Sequence, residues 1–214
     1  MEAKAVILDY GGVICFHPPE QEVDELVTRT GVPKDVFLEN YWGLRAAYDR
    51  GDLSYGEYWG EVARCAGRSY TAEQVEEFVR LDVRFWLHVD TRMIAWVRTL
   101  KASGRKVAML SNMPRELGEY MKSHLDWLRD FDHITLSYEL RSVKPDAAIY
   151  EDAIAGLGVR PEEAVFIDDR AENIAAAEAL GIRALLFESA EAFSGSARNA
   201  HQFLGLGSTP VILE

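Results

Sequence analysis

The chain has 214 residues, 48% of them hydrophobic and 27% charged. That is enough apolar side chain for one large domain, or a core carrying an insertion, and too much for a disordered chain. Acidic residues outnumber basic ones 35 to 23, giving a formal net charge of −12. This excludes a broad basic face for nucleic acid or for an anionic membrane surface.

Cys15 and Cys65 are far apart, have no metal-type spacing and read as small buried hydrophobes in a reducing compartment. The apolar run after Met1-Glu2-Ala3-Lys4 is too short for a signal peptide, and no stretch of about 20 apolar residues exists to span a bilayer. The chain reads as cytoplasmic, and a monomer and a homodimer are both compatible with it.

Ala5 to Leu8 is a short continuous apolar run that stops at Asp9, before the turn-like Gly11-Gly12. A parallel strand covered on both faces looks like this. From about His17 to His88 no such run occurs and helix signals dominate. Pro33 opens one helix, and Arg50-Gly51 closes another. Ser54…Glu57 and Thr71…Gln74 are capping-box patterns. Residues 17–88 therefore read as a separate helical cap inserted after the first strand, and 1–16 with 89–214 as the core.

Asp90 to Ala102 then has helical apolar spacing, at Met93, Ile94, Trp96, Val97 and Leu100. Strand patterns return at Lys106 to Leu110, His133 to Leu136, Ala164 to Ile167 and Arg183 to Phe187. Helices are predicted over Asp146 to Leu157 and Ala171 to Leu180. Such alternation predicts an α/β fold: a Rossmann-like parallel sheet with helices on both faces and right-handed crossovers. The final stretch, Gly205 to Glu214, carries no signal.

Ligands of open parallel sheets bind outside the carboxyl ends of the strands. Asp9, Ser111-Asn112 and Asp168-Asp169 stand at those ends, with Lys144 in a nearby loop. Singly, each has a bland explanation as a cap or turn residue; together they make a candidate site. The carboxylates repel one another by roughly 4 kcal/mol per pair at about 4 Å and an effective dielectric near 20. Such a site calls for a divalent cation, and all-oxygen ligands with few carboxylates suit Mg²⁺.

These residues resemble, in order, the four motifs of the haloacid dehalogenase superfamily. Val6-Ile-Leu-Asp9-Tyr-Gly-Gly-Val13-Ile is similar to the nucleophile motif. Leu110-Ser111-Asn112, Lys144-Pro145 and Phe166-Ile-Asp168-Asp169-Arg-Ala-Glu-Asn173-Ile are similar to the other three. The resemblance covers nearly the whole chain, helical cap included. It implies a phosphatase of small phosphorylated metabolites in which Asp9 attacks phosphorus to form an aspartyl-phosphate. It also implies Mg²⁺ on the Asp9 carboxylate, the Gly11 carbonyl and Asp169, with Asp168 direct or through water. Ser111, the Asn112 backbone N–H and Lys144 would hold the phosphoryl group. Gly11 and Gly12 of the first loop, and Arg45 of the cap, complete the candidate substrate-binding set.

Within the superfamily the motifs resemble the glucose-1-phosphatase-like group, and the cap segment Arg50-Gly51-Asp52-Leu53-Ser54 does so too. This points to a sugar phosphate.

One departure stands out. The family's phosphatases usually carry an acid two residues after the nucleophile, and here that residue is Gly11. Three readings follow: a substrate with a good leaving group, a proton from a cap residue or ordered water, or a catalytically weak phosphate-ligand-binding protein. A metal-free 2-haloacid dehalogenase is a further alternative, although Asp168-Asp169 would repel a departing halide. The cap aromatics Tyr41, Trp42, Tyr48, Tyr55, Tyr58, Trp59, Phe85 and Trp86 are expected in the core. Arg45 and Asp49, four apart, either face the cleft or form an exposed ion pair. His17 is a candidate to approach the leaving group.

Overall fold

The computed structural model describes residues 3–189. The last part of the predicted core and the stretch 205–214 therefore lie outside the described residues. The chain forms β1 (Ala5–Leu8), then α1 (Glu20–Thr30), α2 (Lys34–Gly43), α3 (Arg45–Asp49), α4 (Tyr55–Cys65) and α5 (Ala72–Phe85). It continues as α6 (Thr91–Ala102), β2 (Lys106–Ser111), α7 (Arg115–His124), β3 (His133–Leu136), α8 (Ser137–Leu140) and α9 (Ala147–Leu157). It closes with β4 (Ala164–Asp168), α10 (Ala171–Ala179) and β5 (Arg183–Leu186).

All pairings are parallel, in the order β3-β2-β1-β4-β5. The central β1 is where the winding reverses: the chain builds β2 and β3 on one side, then crosses back to build β4 and β5 on the other. Such a reversal opens a crevice at the carboxyl edge of the sheet.

The strand residues sort by parity onto two faces, as the pleat requires. Val6, Leu8, Val107, Met109, Val165 and Ile167 pack against Trp96, Leu100, Leu117 and Met121 of α6 and α7. Ala5, Ile7, Ala108, Leu110, Ala164 and Phe166 pack against Ile149, Ala153, Leu157 and Ala177 of α9 and α10. With both faces covered, β1 is buried at every position, which is why its sequence is a continuous apolar run rather than an alternating one.

The helices between β1 and β2 bury a core of their own, built from Leu26, Phe37, Tyr41, Tyr48, Tyr58, Trp59, Phe78 and Phe85. Both expected capping boxes form: Ser54 and Thr71 each accept from the N3 backbone while Glu57 and Gln74 reach back. Two of the expected core aromatics stay outside. Trp42 is 51% and Tyr55 42% exposed. Tyr41 takes the inward face of α2 and leaves its neighbour about 100° away, while Tyr55 is the first residue of α4. Cys15 is buried as expected, but Cys65 is exposed at the end of α4. No helix among the described residues is long and apolar enough to cross a membrane.

Candidate active site

Register sets the site. Leu8 pairs with Met109 on one side and Ile167 on the other, so the next residue, Asp9, emerges level with Leu110 and Asp168. The Asp9 N–H donates to the Ile167 carbonyl at 2.9 Å, which extends the ladder by one bond. The Tyr10 N–H donates to Asp9 Oδ1 at 2.6 Å. The chain then doubles back, with the N–H groups of Ile14 and Cys15 donating to the Tyr10 carbonyl at 2.9 and 2.8 Å. Gly12 adopts φ 76°, and a Cβ there would collide with the Asp169 carboxylate, so the tight turn and the close approach both need glycine.

Lys144 reaches into this edge. Its Nζ lies 2.7 Å from Asp9 Oδ1 and 2.7 Å from Asp168 Oδ2, and donates to the Leu110 carbonyl at 3.3 Å. Asn112 fixes the loop from which it springs. Asn112 Oδ1 accepts from the Lys144 N–H at 2.8 Å, and Asn112 Nδ2 donates to the Lys144 carbonyl at 3.1 Å. The Asn112 side chain is thus committed to holding Lys144, and only its backbone is left for the phosphate-binding role the motif implies. Ser111 is buried beside it at the end of β2. Asp168 Oδ1 accepts from the Arg170 N–H at 2.8 Å and from Asn173 Nδ2 at 2.9 Å. Asp169 is half-buried, with His17 Nε2 3.2 Å from its Oδ2. His17 therefore meets an acid of the site rather than standing free.

The carboxylates of Asp9, Asp168 and Asp169 offer oxygens all within 4.8 Å of one another. Burial pushes the Asp9 carboxyl up to about 8, against the pull of Lys144 and with help from Asp168. Burial also opposes ionisation of Asp168, but Lys144, Asn173 and the Arg170 N–H together hold it below the usual range. Burial likewise works against the Lys144 cation, and its two carboxylate partners outweigh it and raise its pKa. One cation thus shares two buried acids, with a third alongside. This surplus of oxygen donors and negative charge fits a small, hard divalent cation.

Above the site lies a cavity of about 620 Å³. Asp9, Gly11, Ser111, Asn112, Lys144 and Asp169 form its floor, and Trp42, Arg45, Ala46, Asp49, Arg50 and Trp86 approach from the inserted helices. Arg45 is buried, which overturns the exposed ion pair as a reading. Its Nε donates to Asp49 Oδ1 at 2.9 Å, and its Nη1 donates to both oxygens of Asp82 at 3.1 and 3.0 Å and to the Tyr41 hydroxyl at 2.9 Å. Burial pushes Asp49 up to about 6. The four-residue spacing of Arg45 and Asp49 was visible in the sequence. Asp82 lies on α5, 37 residues away, and no local pattern could have joined it to them. Trp42, expected in the core, is exposed and lines the cavity, while Trp86 packs against the core and lines the cavity as well.

Residues 3–181 match the family model of haloacid dehalogenase-like hydrolases, and the chain belongs to this family. Over 84% of this chain and 87% of the relative, it is 34% identical to a sesquiterpene phosphatase of Aspergillus oryzae. It is 28% identical to the D-ribitol-5-phosphate phosphatase of Bacteroides thetaiotaomicron, over 83% and 88% of the two chains. Its fold matches a family enzyme from Bacteroides thetaiotaomicron solved with magnesium and inorganic phosphate. The TM-score is 0.71 at 21% identity, over 87% of this chain and 94% of that one.

Proposed function

We propose that the protein is a Mg²⁺-dependent phosphatase that hydrolyses a small phosphorylated metabolite, a sugar phosphate, through an aspartyl-phosphate on Asp9. One observation carries this reading: a buried carboxylate, gripped by a buried lysine and flanked by two more acids, at the floor of a cavity walled by the inserted helices. The phosphatase relatives and the magnesium and phosphate bound by the structural neighbour support it.

Mg²⁺ would be held by Asp9, the Gly11 carbonyl and Asp169, with Asp168 direct or through water. Bound there, it would neutralise the surplus of carboxylates and the incoming phosphate. Asp9 is the nucleophile, oriented by Lys144 and the Tyr10 N–H. Lys144, Ser111 and the Asn112 backbone take up the charge that develops on the phosphoryl oxygens. Residues 17–88 act as a cap that excludes water, over a core of residues 1–16 and 89–214. Gly12 lets the first loop approach the phosphate closely, and Arg45 presents the cap's cation to the cavity. With an acidic surface the protein takes neither nucleic acid nor membrane as partner, and thiols without a bridge suit the cytoplasm.

The test is a panel of phosphorylated metabolites assayed with Mg²⁺ on wild type and Asp9→Asn. Turnover is expected to fall by about 10³-fold or more in the variant, and to disappear with EDTA. An Asp9→Asn protein as active as wild type overturns the reading. So does chloride release from a 2-haloacid in EDTA, which identifies a dehalogenase instead.

A further inference from the structure

Position 11 lies two residues beyond the nucleophile, and its emptiness has a visible physical partner. Gly11 has no left-handed φ, so its backbone would accept any L residue. A Cβ added there, however, would sit 3.1 Å from Cζ3, 3.6 Å from Cε3 and 3.8 Å from Cη2 of Trp86. The six-membered ring of the indole lies over the position. Trp86 is held on both sides. Its carbonyl accepts from the Tyr10 hydroxyl, and Tyr10 directly follows the nucleophile. Its ring stands edge-to-face with Trp42, centroids 6.5 Å apart at 82°. The two segments that join the inserted helices to the sheet are also tied together, since the Phe16 N–H donates to the His88 carbonyl at 2.9 Å. A side chain at position 11 therefore starts in tight contact with the Trp86 ring, which must give way by a few tenths of an ångström to admit its Cβ.

We propose that Trp86 determines the leaving group this enzyme accepts. By crowding position 11, it disfavours a proton donor there. It thereby restricts efficient turnover to phosphates whose ester oxygen departs as a stabilised anion: acyl and aryl phosphates first, phosphates on an anomeric carbon next, primary alkyl phosphates last. This rests on the phosphatase reading above and narrows its substrate class. In the step concerned, an Asp9 carboxylate oxygen bonds to phosphorus while the phosphorus–ester oxygen bond breaks. The electron pair leaves on the ester oxygen, which takes its proton afterwards from bulk water. A second water then cleaves the aspartyl-phosphate, giving dihydrogen phosphate and the free carboxylate. Among the other acids and the histidine lining the cavity, His17 pairs with Asp169, Asp49 with Arg45 and Glu172 with Arg170, while Asp146 is exposed at the start of α9.

The test uses the full chain with Mg²⁺ and a series of aryl phosphates of graded phenol acidity, together with acetyl phosphate and D-ribitol 5-phosphate. Wild type is expected to show a steep fall of kcat with leaving-group pKa. Gly11→Asp alone keeps that steep dependence, binds Mg²⁺ calorimetrically because only the backbone carbonyl of residue 11 is used, and loses about tenfold or more in kcat/KM as its carboxylate crowds the ring. In Gly11→Asp combined with Trp86→Ala the dependence flattens. That double variant gains about 10²-fold in kcat on phenyl and alkyl phosphates relative to wild type, the lower end of what a positioned acid supplies, with little change on p-nitrophenyl phosphate. A shallow dependence in wild type overturns the proposal without need of any variant. So does a double variant with the wild-type slope, or a Gly11→Asp protein that flattens it as much as the double. If wild type with Mg²⁺ hydrolyses none of these phosphates, the phosphatase reading itself has failed, a result distinct from all of these.

Discussion

One ammonium group faces two buried carboxylates: Lys144 Nζ lies 2.7 Å from both Asp9 and Asp168, and all three side chains are almost fully out of water. Charges so placed are costly unless paired and hydrogen-bonded. Asp168 has both oxygens engaged, while Asp9 is the acid left short of partners and driven up to about 8. A group that wants a counter-charge is suited to a cation or to phosphorus. The same imbalance recurs among the inserted helices, where Arg45 serves both Asp49 and Asp82 and Asp49 is pushed from 3.8 to about 6 by burial. Its consequence for stability has a definite sign. Between about pH 4 and 6 folded Asp49 keeps a proton that the unfolded chain releases, so stability falls as pH rises through that window, by on the order of 2–3 kcal/mol. Asp49→Asn removes this contribution. Denaturant titrations from pH 4 to 7 should therefore show the stability difference, wild type minus variant, shrinking as pH rises. A difference that is flat or grows would refute the assignment. Glu163 acts in the opposite direction. Held down to about 2, with Lys4 first among the causes, it supports the fold above its ordinary value of 4.5 and lets go only in acid.

At the scale of elements, two helical glycines of ordinary φ separate propensity from packing. Gly60, in the middle of α4, is exposed and has nothing within 4 Å of a would-be Cβ. Gly156 of α9 lies against β3, and a Cβ there would collide with the His133 ring, whose Nε2 is also 3.0 Å from Asp152 Oδ2. Helix propensity alone favours alanine at both sites by about 1 kcal/mol. Gly60→Ala is expected to stabilise by about that amount. Gly156→Ala is expected to destabilise by about 1–3 kcal/mol, because overpacking a fixed contact displaces the strand or the ring. Urea midpoints of the two variants should therefore move in opposite directions, and a shift of the same sign in both would show that α9 can move off β3 freely.

For the whole molecule, the charge of −12 has to coexist with a dianionic substrate. A general field of this sign repels phosphate, so under the proposed function capture would rest on local donors: Lys144, backbone N–H groups and the cation the acids would hold. Attraction over distance speeds encounter at low salt; here the opposite sign is expected. With Mg²⁺ saturating, kcat/KM for a phosphate ester should rise modestly as ionic strength goes from about 0.01 to 0.15 M, as the Debye length shrinks from about 30 to 8 Å. A steep fall would show that the cavity mouth presents a net positive potential.

Features that a local pattern can encode were readable in the chain before any contact was known. Continuous apolar runs marked β1, β2 and β4 because strands covered on both faces have no polar side. Gly12 was legible as a turn, and the capping boxes at Ser54 and Thr71 formed where their spacing put them. That Asp9, Asp168 and Asp169 would come together was legible for the same reason: a parallel sheet delivers every strand's carboxyl end to one edge. Contacts between residues far apart in the chain were decided only by the tertiary structure. It brought Asp82 to Arg45 from 37 residues away, turned Trp42 from a core candidate into cavity wall, and committed the Asn112 side chain to the Lys144 backbone. It also laid an indole ring over Gly11. Periodicity tells which face of a helix is apolar, but not which neighbour that face will meet. The wall of the cavity is made of such neighbours, so the sequence reached the reaction class and left the shape of the cavity to the packing.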